Sequence, residues 1–247
     1  MKPRDRQRQI ADLVQQRGEA TVDDLCTVFS VSAETIRRDL SQLAEAGAIQ
    51  KIHGAGRRIK FQGEGSFTER VLDQAPAKVE IATKLAKLVH PGQTVFMDTG
   101  STTLAAAGAL AKIPGLTVIT NSVFVAQAIG HPDVLLLGGR FRGDNMQTVG
   151  PETIVQIAQF RADAAILTVT AIDDAGVAMD ADLDEAQIAR AMRSSARRCI
   201  IVAHNSKFGT SAPYRVCPPD DMDVLVCDTM PAPALLSVLT EAGVTVC

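Results

Sequence analysis

The sequence predicts a mixed α/β protein in which a small helical domain precedes a larger domain built on a parallel sheet. In the first 60 residues, short amphipathic helical patterns are separated by tight turns and followed by a basic hairpin pattern. From residue 77 onward, continuous apolar segments alternate with helical ones, which is typical of parallel strands covered on both faces. We therefore expect a first domain over 1–60, a linker over 61–76 and a second domain over 77–247.

Charge is distributed unevenly along the 247 residues, whose formal net charge is −3. Residues 1–60 contain 11 Lys and Arg against 8 Asp and Glu, which leaves 14 against 20 of the chain's 25 and 28 for the rest. The first domain is thus basic by +3 and the remainder acidic by −6. This asymmetry predicts that only the first domain meets a polyanion.

The five cysteines are odd in number and form no Cys-x-x-Cys pair, which argues against a disulfide framework and a zinc site. No apolar run resembles the core of a signal peptide or a membrane span. We therefore expect a reduced, soluble, cytoplasmic protein with no membrane partner. Nothing in the sequence implies a metal or a cofactor.

Three short helices are predicted in the first domain. The first covers 3–17 and is ended by Gly18, and the second covers 22–29 with Thr21 as its cap. A turn over 30–32 leads to the third helix. Two helices joined by such a tight turn are typical of the helix-turn-helix arrangement that places its second helix in the DNA major groove.

The third helix begins at Ser32 and ends near Gly47. Ile36, Leu40 and Leu43 make one apolar stripe, which the domain would bury. The candidates for DNA contact in this helix are Ser32 at its start and, on the opposite face and its flanks, Glu34, Thr35, Arg37, Arg38 and Ser41. Arginine suits guanine edges and phosphates, so we interpret the helix as a DNA-reading helix; the alternative is a solvated surface helix.

A basic β-hairpin, or wing, is predicted next, with strands over 48–52 and 57–60 and a turn over 53–56. Five side chains of the hairpin could lie along a phosphate backbone: Lys51, His53, Arg57, Arg58 and Lys60. Such contacts position a protein on DNA without reading its sequence. The alternative is a solvated hairpin.

The second domain is predicted as a Rossmann-like alternation of helices and strands. The helices cover 77–89, 102–111, 123–129, 151–159, 184–196 and 232–241; the strands cover 94–97, 117–119, 134–137, 164–167, 199–202, 224–227 and 244–246. In such sheets, ligands bind beyond the carboxyl ends of the strands.

Polar, glycine-rich sequences stand at those ends. Asp98-Thr99-Gly100-Ser101-Thr102-Thr103 opens a helix, where hydroxyls and backbone N–H groups can hold a phosphate. The P-loop pattern is absent, which argues against ATP hydrolysis. Ordinary helix capping is the alternative for this segment.

Other strand ends carry similar groups. Asn121 follows the second strand, Gly139 and Arg140 follow the third, and Lys207 follows a later one. Asn and Asp suit sugar hydroxyls, and Lys207 or Arg140 suits a phosphate. Taken singly, these residues could be turn, cap or solvated residues, but together they predict a ligand crevice.

The sequence resembles the DeoR-type bacterial repressors along nearly its whole length. The matching motifs in the first domain are Val31-Ser32, Thr35-Ile36-Arg37-Arg38-Asp39-Leu40, Leu43, Gly47 and His53-Gly54. Those in the second domain are Phe67 to Arg70 with Lys78, Asp98 to Thr103, Val118 to Ser122, Leu137-Gly138-Gly139, Gly150-Pro151, Ser206-Lys207-Phe208-Gly209 and Asp228. The resemblance implies a winged helix-turn-helix domain and a sensor domain similar to ribose-5-phosphate isomerase that binds a phosphorylated sugar.

The resemblance also implies residue roles. Arg37 and Arg38, with Thr35 nearby, would contact operator DNA. Gly100, Ser101, Thr102 and Thr103 would hold the phosphate of the effector. Asp98, Asn121, Gly139 and Lys207 would meet its sugar.

Three positions depart from the usual family pattern. The turn reads His53-Gly54-Ala55-Gly56 in place of His-Gly-Gly-Ala, His204 replaces an aspartate, and Ala189 replaces a lysine. We expect the last two near the ligand crevice, where they would alter or weaken phosphate binding.

The leading hypothesis is a repressor of a carbohydrate operon, acting as a dimer or tetramer and released from its operator by a phosphosugar. One alternative is a sugar-phosphate isomerase with a DNA-binding appendage, for which Asp98, Asp173, Asp174 or Glu185 would be the base. Another is a DNA-binding protein whose sensor has lost its ligand. We expect no enzymatic activity and no catalytic residues.

Overall fold

The computed structural model describes residues 3–17, 19–45, 49–52, 54–57, 65–130 and 133–247. The chain divides into two compact units, Met1–Phe61 and Gln62–Cys247. The first is a small helical unit with a three-stranded sheet, and the second is built on a seven-stranded sheet. The predicted mixed α/β class is confirmed.

The first unit contains three helices and three short strands. They are α1 (Pro3–Arg17), β1 (Glu19–Thr21), α2 (Val22–Phe29), α3 (Ala33–Glu45), β2 (Gln50–Ile52) and β3 (Ala55–Arg57). Thr21 caps α2, since its hydroxyl accepts from the Asp24 backbone N–H at 3.1 Å. Ser32 caps α3 in the same way through Thr35, at 3.3 Å. Gly18 and Gly47, the expected helix stops, lie outside the described residues.

The wing differs from the prediction in register. Its second strand begins at Ala55, two residues earlier than expected, because Ile52 pairs directly with Ala55 and the hairpin closes on a two-residue loop. Gly54 in that loop has φ +71°, a left-handed conformation that glycine adopts without strain. Strand β1, which the sequence did not predict, pairs with the other side of β3.

The second unit alternates helices and strands as expected, with additional short elements. Its first half contains α4 (Phe67–Leu72), α5 (Ala75–Ala86), β4 (Thr94–Met97), α6 (Ser101–Leu110), β5 (Thr117–Thr120), α7 (Val123–Ile129), β6 (Val134–Leu136), β7 (Arg140–Arg142), β8 (Gln147–Val149) and α8 (Pro151–Ile157). Its second half contains β9 (Ala164–Thr168), β10 (Ala171–Ile172), β11 (Ala178–Asp180), α9 (Leu183–Ser194), β12 (Cys199–Val202), β13 (Tyr214–Cys217), β14 (Val224–Val226), α10 (Pro233–Glu241) and β15 (Thr245–Val246).

The main sheet is parallel throughout, in the order β15-β14-β12-β9-β4-β5-β6. From β4 the chain proceeds through β5 and β6 toward one edge, then returns to β9 on the other side of β4 and continues to β15. The carboxyl ends of β4 and β9 therefore flank a topological switch point, where open α/β sheets bind ligands.

Alternate residues of each strand enter two different cores. Val95 and Met97 of β4 belong to the cluster that packs under α5 and α6. Phe96 between them belongs to the cluster on the opposite face, under α8, α9 and α10. Burial on both faces explains why the strands are continuous apolar runs in the sequence.

The segment 61–76, expected to be a linker, is helical over Phe67–Leu72, and α5 begins at Ala75. Ser66 and Glu69 form a capping box, and Phe67 is buried and stacks on Phe124 with ring centroids 4.9 Å apart. Helix α4 is thus anchored to the second unit by its aromatic residue. Residues 61–64 lie outside the described part of the chain.

Two small antiparallel sheets complete the second unit: the hairpin β7–β8 and the sheet β10-β11-β13. Both lie in segments between the helices and strands that the sequence predicts. Across the described ranges, no helix is long and apolar enough to cross a membrane.

Candidate functional site

The exposed face of α3 is the candidate DNA surface. Glu34, Arg37 and Arg38 are exposed, and Glu34 lies 4.0 Å from the Arg37 guanidinium. The hydroxyl of Ser41 donates to the Arg37 carbonyl oxygen at 2.8 Å. The structure therefore places both predicted arginines where a polyanion can reach them, one of them beside a carboxylate that DNA would have to displace.

The remaining predicted DNA contacts are placed only in part. The hydroxyls of Ser32 and Thr35 lie 3.0 Å apart at the start of α3, where they cap the helix. Lys51 and Arg57 lie on β2 and β3. His53, Arg58 and Lys60 lie outside the described residues.

Asp39, a motif residue to which the sequence assigns no role, is buried on the inner side of α3. Its carboxylate accepts from Arg6 Nε at 2.6 Å and from Gln7 Nε2 at 3.0 Å. The hydrogen bond to Asp39 raises the pKa of Arg6. This contact links α1 to α3, so Asp39 positions the helix that carries the two arginines.

The second candidate site is an open cleft at the switch point. Its empty space is about 270 Å³, counted with the solvent at its mouth. The lining residues are Arg70, Thr99, Gly100, Ser101, Thr102, Thr168, Val169, Thr170, Asp180, Glu185 and Lys207. Of the predicted effector residues, the structure brings Gly100, Ser101, Thr102 and Lys207 together here.

The N-terminus of α6 opens into this cleft. Gly100 is its N-cap and supplies no side chain, so the first backbone N–H groups receive no side-chain cap. A Cβ on Gly100 would lie 2.3 Å from Thr168 Oγ1, which explains why glycine is required for β9 to approach so closely. A helix N-terminus with open donors suits an anion.

Thr99 adds an independent indication of a ligand. The residue is 7% exposed, and its hydroxyl has no hydrogen-bond partner among the described residues. Buried hydroxyls are normally paired, because an unpaired one keeps the full cost of leaving water. An oxygen-rich ligand in the cleft would supply the missing partner.

Thr103 was expected to hold the phosphate through its side chain, but its hydroxyl is fully buried below the cleft. It donates to the carbonyl oxygens of Asp98 and Gly100, both at 3.0 Å. The hydroxyl therefore fixes the turn that leads into α6, and the structure does not bring it to the lining.

Asp98 is also buried and does not line the cleft. Its carboxyl group accepts from the Thr168 backbone N–H at 2.8 Å and from the Thr168 hydroxyl at 3.2 Å. Burial raises its pKa to about 8. Asp98 therefore joins the ends of β4 and β9 beneath the cleft and does not present a carboxylate to a sugar.

Asn121 and Gly139 lie away from the cleft lining. The Asn121 amide donates to Gln147 Oε1 and to the Thr148 carbonyl oxygen, which holds β8 against the end of β5. Gly139 has φ +142°, and a Cβ there would meet Thr153 Oγ1 at 2.1 Å. Both residues thus help to attach the β7–β8 hairpin, while Asn121 Oδ1 is buried without a hydrogen-bond partner among the described residues.

Glu185 and Arg70 also line the cleft. The sequence named Glu185 only as a candidate base of the enzyme alternative and Arg70 only as part of a family motif, and it assigned neither to the effector. Glu185 accepts from Asn145 Nδ2 at 2.7 Å and from Gln147 Nε2 at 2.5 Å. Arg70 donates to Asn145 Oδ1 at 2.8 Å. Burial raises the pKa of Glu185 and Asp182 adds to the shift, while Arg142 and Arg70 oppose it. Residues far apart in sequence meet here, so spacing could not reveal them.

The two expected family departures do not line the cleft. Ala189 lies on the inner face of α9 and is buried in the core. His204 is buried beside the cleft residue Lys207, and its Nδ1 lies 2.9 Å from Ser206 Oγ. Burial lowers the pKa of His204 to about 4, so its ring is neutral at neutral pH. Neither residue is among those that line the cleft.

Comparison with protein families matches both units. A DeoR-like helix-turn-helix domain matches residues 6–62, and a DeoR C-terminal sensor domain matches residues 73–229. Among solved structures, ribose 5-phosphate isomerase A from Methanocaldococcus jannaschii aligns with 55% of this chain and 55% of its own, at 15% identity and a TM-score of 0.41.

Curated relatives cover nearly the whole chain. The glycerol-3-phosphate regulon repressor of Escherichia coli is 33% identical over 98% of this chain and 97% of its own length. The repressor CsqR of Escherichia coli is 32% identical over 96% and 92%, and the repressor GlcR of Bacillus subtilis is 29% identical over 95% and 92%. The chain therefore belongs to the DeoR family of DNA-binding transcriptional regulators, with a helix-turn-helix unit followed by a sensor unit.

Proposed function

We propose that the protein is a cytoplasmic repressor of a carbohydrate-catabolism operon and that a phosphorylated sugar or sugar derivative releases it from its operator. Residues 1–60 would bind DNA, and residues 77–247 would bind the effector. The full-length similarity to repressors, one of them named for a glycerol-3-phosphate regulon, supports this assignment.

The observation that carries the effector assignment is the cleft at the switch point. Open N–H donors of α6, the buried Thr99 hydroxyl and the cations Arg70 and Lys207 converge on it. Together they suit a phosphate ester with further oxygen atoms. We place the phosphate at Gly100, Ser101 and Thr102, with Lys207 close by.

Release from DNA requires that the effector prefer one arrangement of the protein. Arg70 belongs to α4, the first helix of the sensor unit after the connection to the DNA-binding unit. We propose that the bound effector contacts Arg70 and thereby favours one position of α4. In a homodimer or homotetramer, this would change how two reading helices fit a palindromic operator.

The test is a binding titration of the purified full chain against DNA from its own upstream region, with and without phosphosugars. The panel is glycerol 3-phosphate, ribose 5-phosphate, glucose 6-phosphate and fructose 6-phosphate, each beside its unphosphorylated parent. Release by a phosphate ester but not by its parent is the expected result. Release by a parent sugar, or by none of the compounds, contradicts the assignment.

We propose no enzymatic activity. Of the four candidate bases, Asp98 is engaged by Thr168 below the cleft, and Glu185 lines the cleft but is engaged by Asn145 and Gln147. The proposal is supported mainly by the curated relatives named above, which are repressors. Turnover of ribose 5-phosphate by the purified protein would contradict this proposal.

A further inference from the structure

We propose that two copies of this chain assemble through the free edge of the main sheet. Strand β6 of one copy pairs antiparallel with β6 of the other across a two-fold axis, so that the two main sheets join. The inference rests on the proposed function only for the expectation of a homo-oligomer. It assigns the residues that hold the two copies together, and the contact needs neither DNA nor an effector.

The edge has open backbone groups. Strand β6 is the outermost strand on its side of the main sheet and is bonded to β5. Asp133 and Leu137 bond to β5 through their backbone, at 3.0 and 2.8 Å. Because backbone groups alternate in direction along a strand, those of Val134 and Leu136 face away from β5. In the described part of the chain no strand lies on that side, so each copy offers two N–H donors and two carbonyl acceptors.

The side chains at this edge are apolar and exposed. Leu135 is 45% exposed and Leu136 is 49% exposed. They point to opposite faces of the sheet, because neighbours in a strand alternate. The strand lacks the charged residues and the proline that usually keep a sheet edge from pairing. Pairing with another strand would remove apolar surface from water on both faces.

The edge is complementary to itself, which makes a second copy its partner. With Leu135 on the two-fold axis, Val134 of each copy lies opposite Leu136 of the other. These are the residues with open backbone groups, so the two pairs form four hydrogen bonds and leave none of those groups open. The two Leu135 side chains then face each other, with their Cβ atoms about 4.5–5.5 Å apart. The same two-fold symmetry suits two reading helices on a palindromic operator.

Two helices extend the contact beyond the strand, which alone is small beside the roughly 800 Å² that each partner of a specific interface buries. Helix α7 packs on β6, and its Ala128 is exposed. Helix α8 reaches the end of the edge, where Gln156 Oε1 accepts from the Gly138 N–H at 2.9 Å. Val155 of α8 is exposed as well. The contact therefore runs from α7 across β6 to α8.

The first test places charges opposite each other at the two-fold axis. Leu135→Lys and Leu135→Glu should each raise the dissociation constant of the assembly about tenfold or more, because like charges replace a leucine pair. An equal mixture of the two variants should recover assembly, since lysine then faces glutamate. Analytical ultracentrifugation of the full chain, without DNA or effector, measures this. Leu72→Lys is the control, because Leu72 is apolar and 75% exposed on α4, and it should leave the dissociation constant unchanged.

The second test measures register by cross-linking with oxidised glutathione. Cys26 and Cys247, the partly exposed cysteines, are first replaced by serine. Leu135→Cys should then form a disulfide between two copies. Leu136→Cys should not, because two residues at 136 lie about 8 Å apart across this pair of strands, beyond the reach of a disulfide. If a charged variant loses the wild-type circular dichroism spectrum, the cysteine variants decide alone.

An assembly that Leu135→Lys does not weaken, or that the mixture does not recover, overturns the inference and leaves the proposed function standing. Equal cross-linking of Leu135→Cys and Leu136→Cys overturns the register, and loss of assembly in Leu72→Lys alone moves the contact to α4. A monomeric wild type overturns the inference together with the homo-oligomer, while the DNA titration with phosphosugars still tests the repressor assignment separately.

Discussion

The carboxyl group of Asp98, at the end of β4, receives both the backbone N–H and the hydroxyl of Thr168, at the end of β9. These neighbouring parallel strands are the ones from which the chain proceeds toward opposite edges of the sheet. The contact fixes the floor of the cleft. It also sets Thr168 against Gly100, so the geometry of the α6 N-terminus depends on it.

The burial of Asp98 should make folding stability depend on pH. Burial raises the pKa of Asp98 from 3.8 to about 8, so the folded state holds a proton that the unfolded state loses. Stability contributed by this group therefore falls as the pH rises between those values. In urea unfolding at pH 5 and pH 8, the wild type should lose more stability over this interval than Asp98→Asn, whose side chain does not titrate. An equal change in the free energy of unfolding of the two proteins between pH 5 and pH 8 would contradict the raised pKa of Asp98.

The tight approach of Gly100 to Thr168 should make Gly100→Ala costly. The new Cβ would lie 2.3 Å from Thr168 Oγ1, so the turn or the strand must shift. We expect a loss of about 1–3 kcal/mol in the free energy of unfolding, typical of overpacking. We also expect weaker phosphate-ester binding, measured by calorimetry.

The matched control is Gly108→Ala in the same helix, where a Cβ would meet nothing within 4 Å. It should raise stability by about 0.5–1 kcal/mol, because alanine is the better helix former. If Gly100→Ala changes the free energy of unfolding and the phosphate-ester affinity no more than Gly108→Ala does, the close approach to Thr168 does not require glycine at position 100.

Arg38 on the exposed face of α3 should contribute to operator binding. If its guanidinium binds a base, Arg38→Ala should weaken binding by about 1–3 kcal/mol and relax specificity at one operator position. If it binds a phosphate, the substitution should weaken binding to all sequences alike. Fluorescence anisotropy with operator variants distinguishes the two. Arg8→Ala removes the same charge from an exposed position on α1 and serves as the control. Unchanged affinity in Arg38→Ala would remove this residue from the interface.

Asp39 should matter for the fold of the DNA-binding unit and only indirectly for DNA. Asp39→Ala leaves Arg6 buried without its carboxylate, and breaking such a pair costs about 3–5 kcal/mol. In denaturant, the transition of the first unit should move to lower concentration while that of the sensor unit stays in place. Asp23→Ala, an exposed acidic residue of α2, should move neither. If the first unit unfolds at the same denaturant concentration in the wild type and in Asp39→Ala, the Arg6–Asp39 pair does not stabilise α3.

Most of the large elements follow from the sequence, because their apolar periodicity reports burial. The stripe of Ile36 and Leu40 predicts the inner face of α3, and the continuous apolar runs predict a sheet covered on both sides. The capping threonine Thr21 and serine Ser32 predict where helices begin. The glycine at 100 and the hydroxyls after it predict the position of the cleft.

Tertiary structure alone decided which polar residues reach that cleft. The sequence motifs of Asp98, Asn121 and Thr103 are the same whether the polar atoms face a ligand or the protein. Here the Asp98 carboxyl group, the Asn121 NH₂ group and the Thr103 hydroxyl are paired with the protein. Glu185 and Arg70 come from helices distant in sequence and meet only after the strands pair. Periodicity within one segment fixes the local element, but hydrogen-bond partners across the fold decide which side chains remain open to bind.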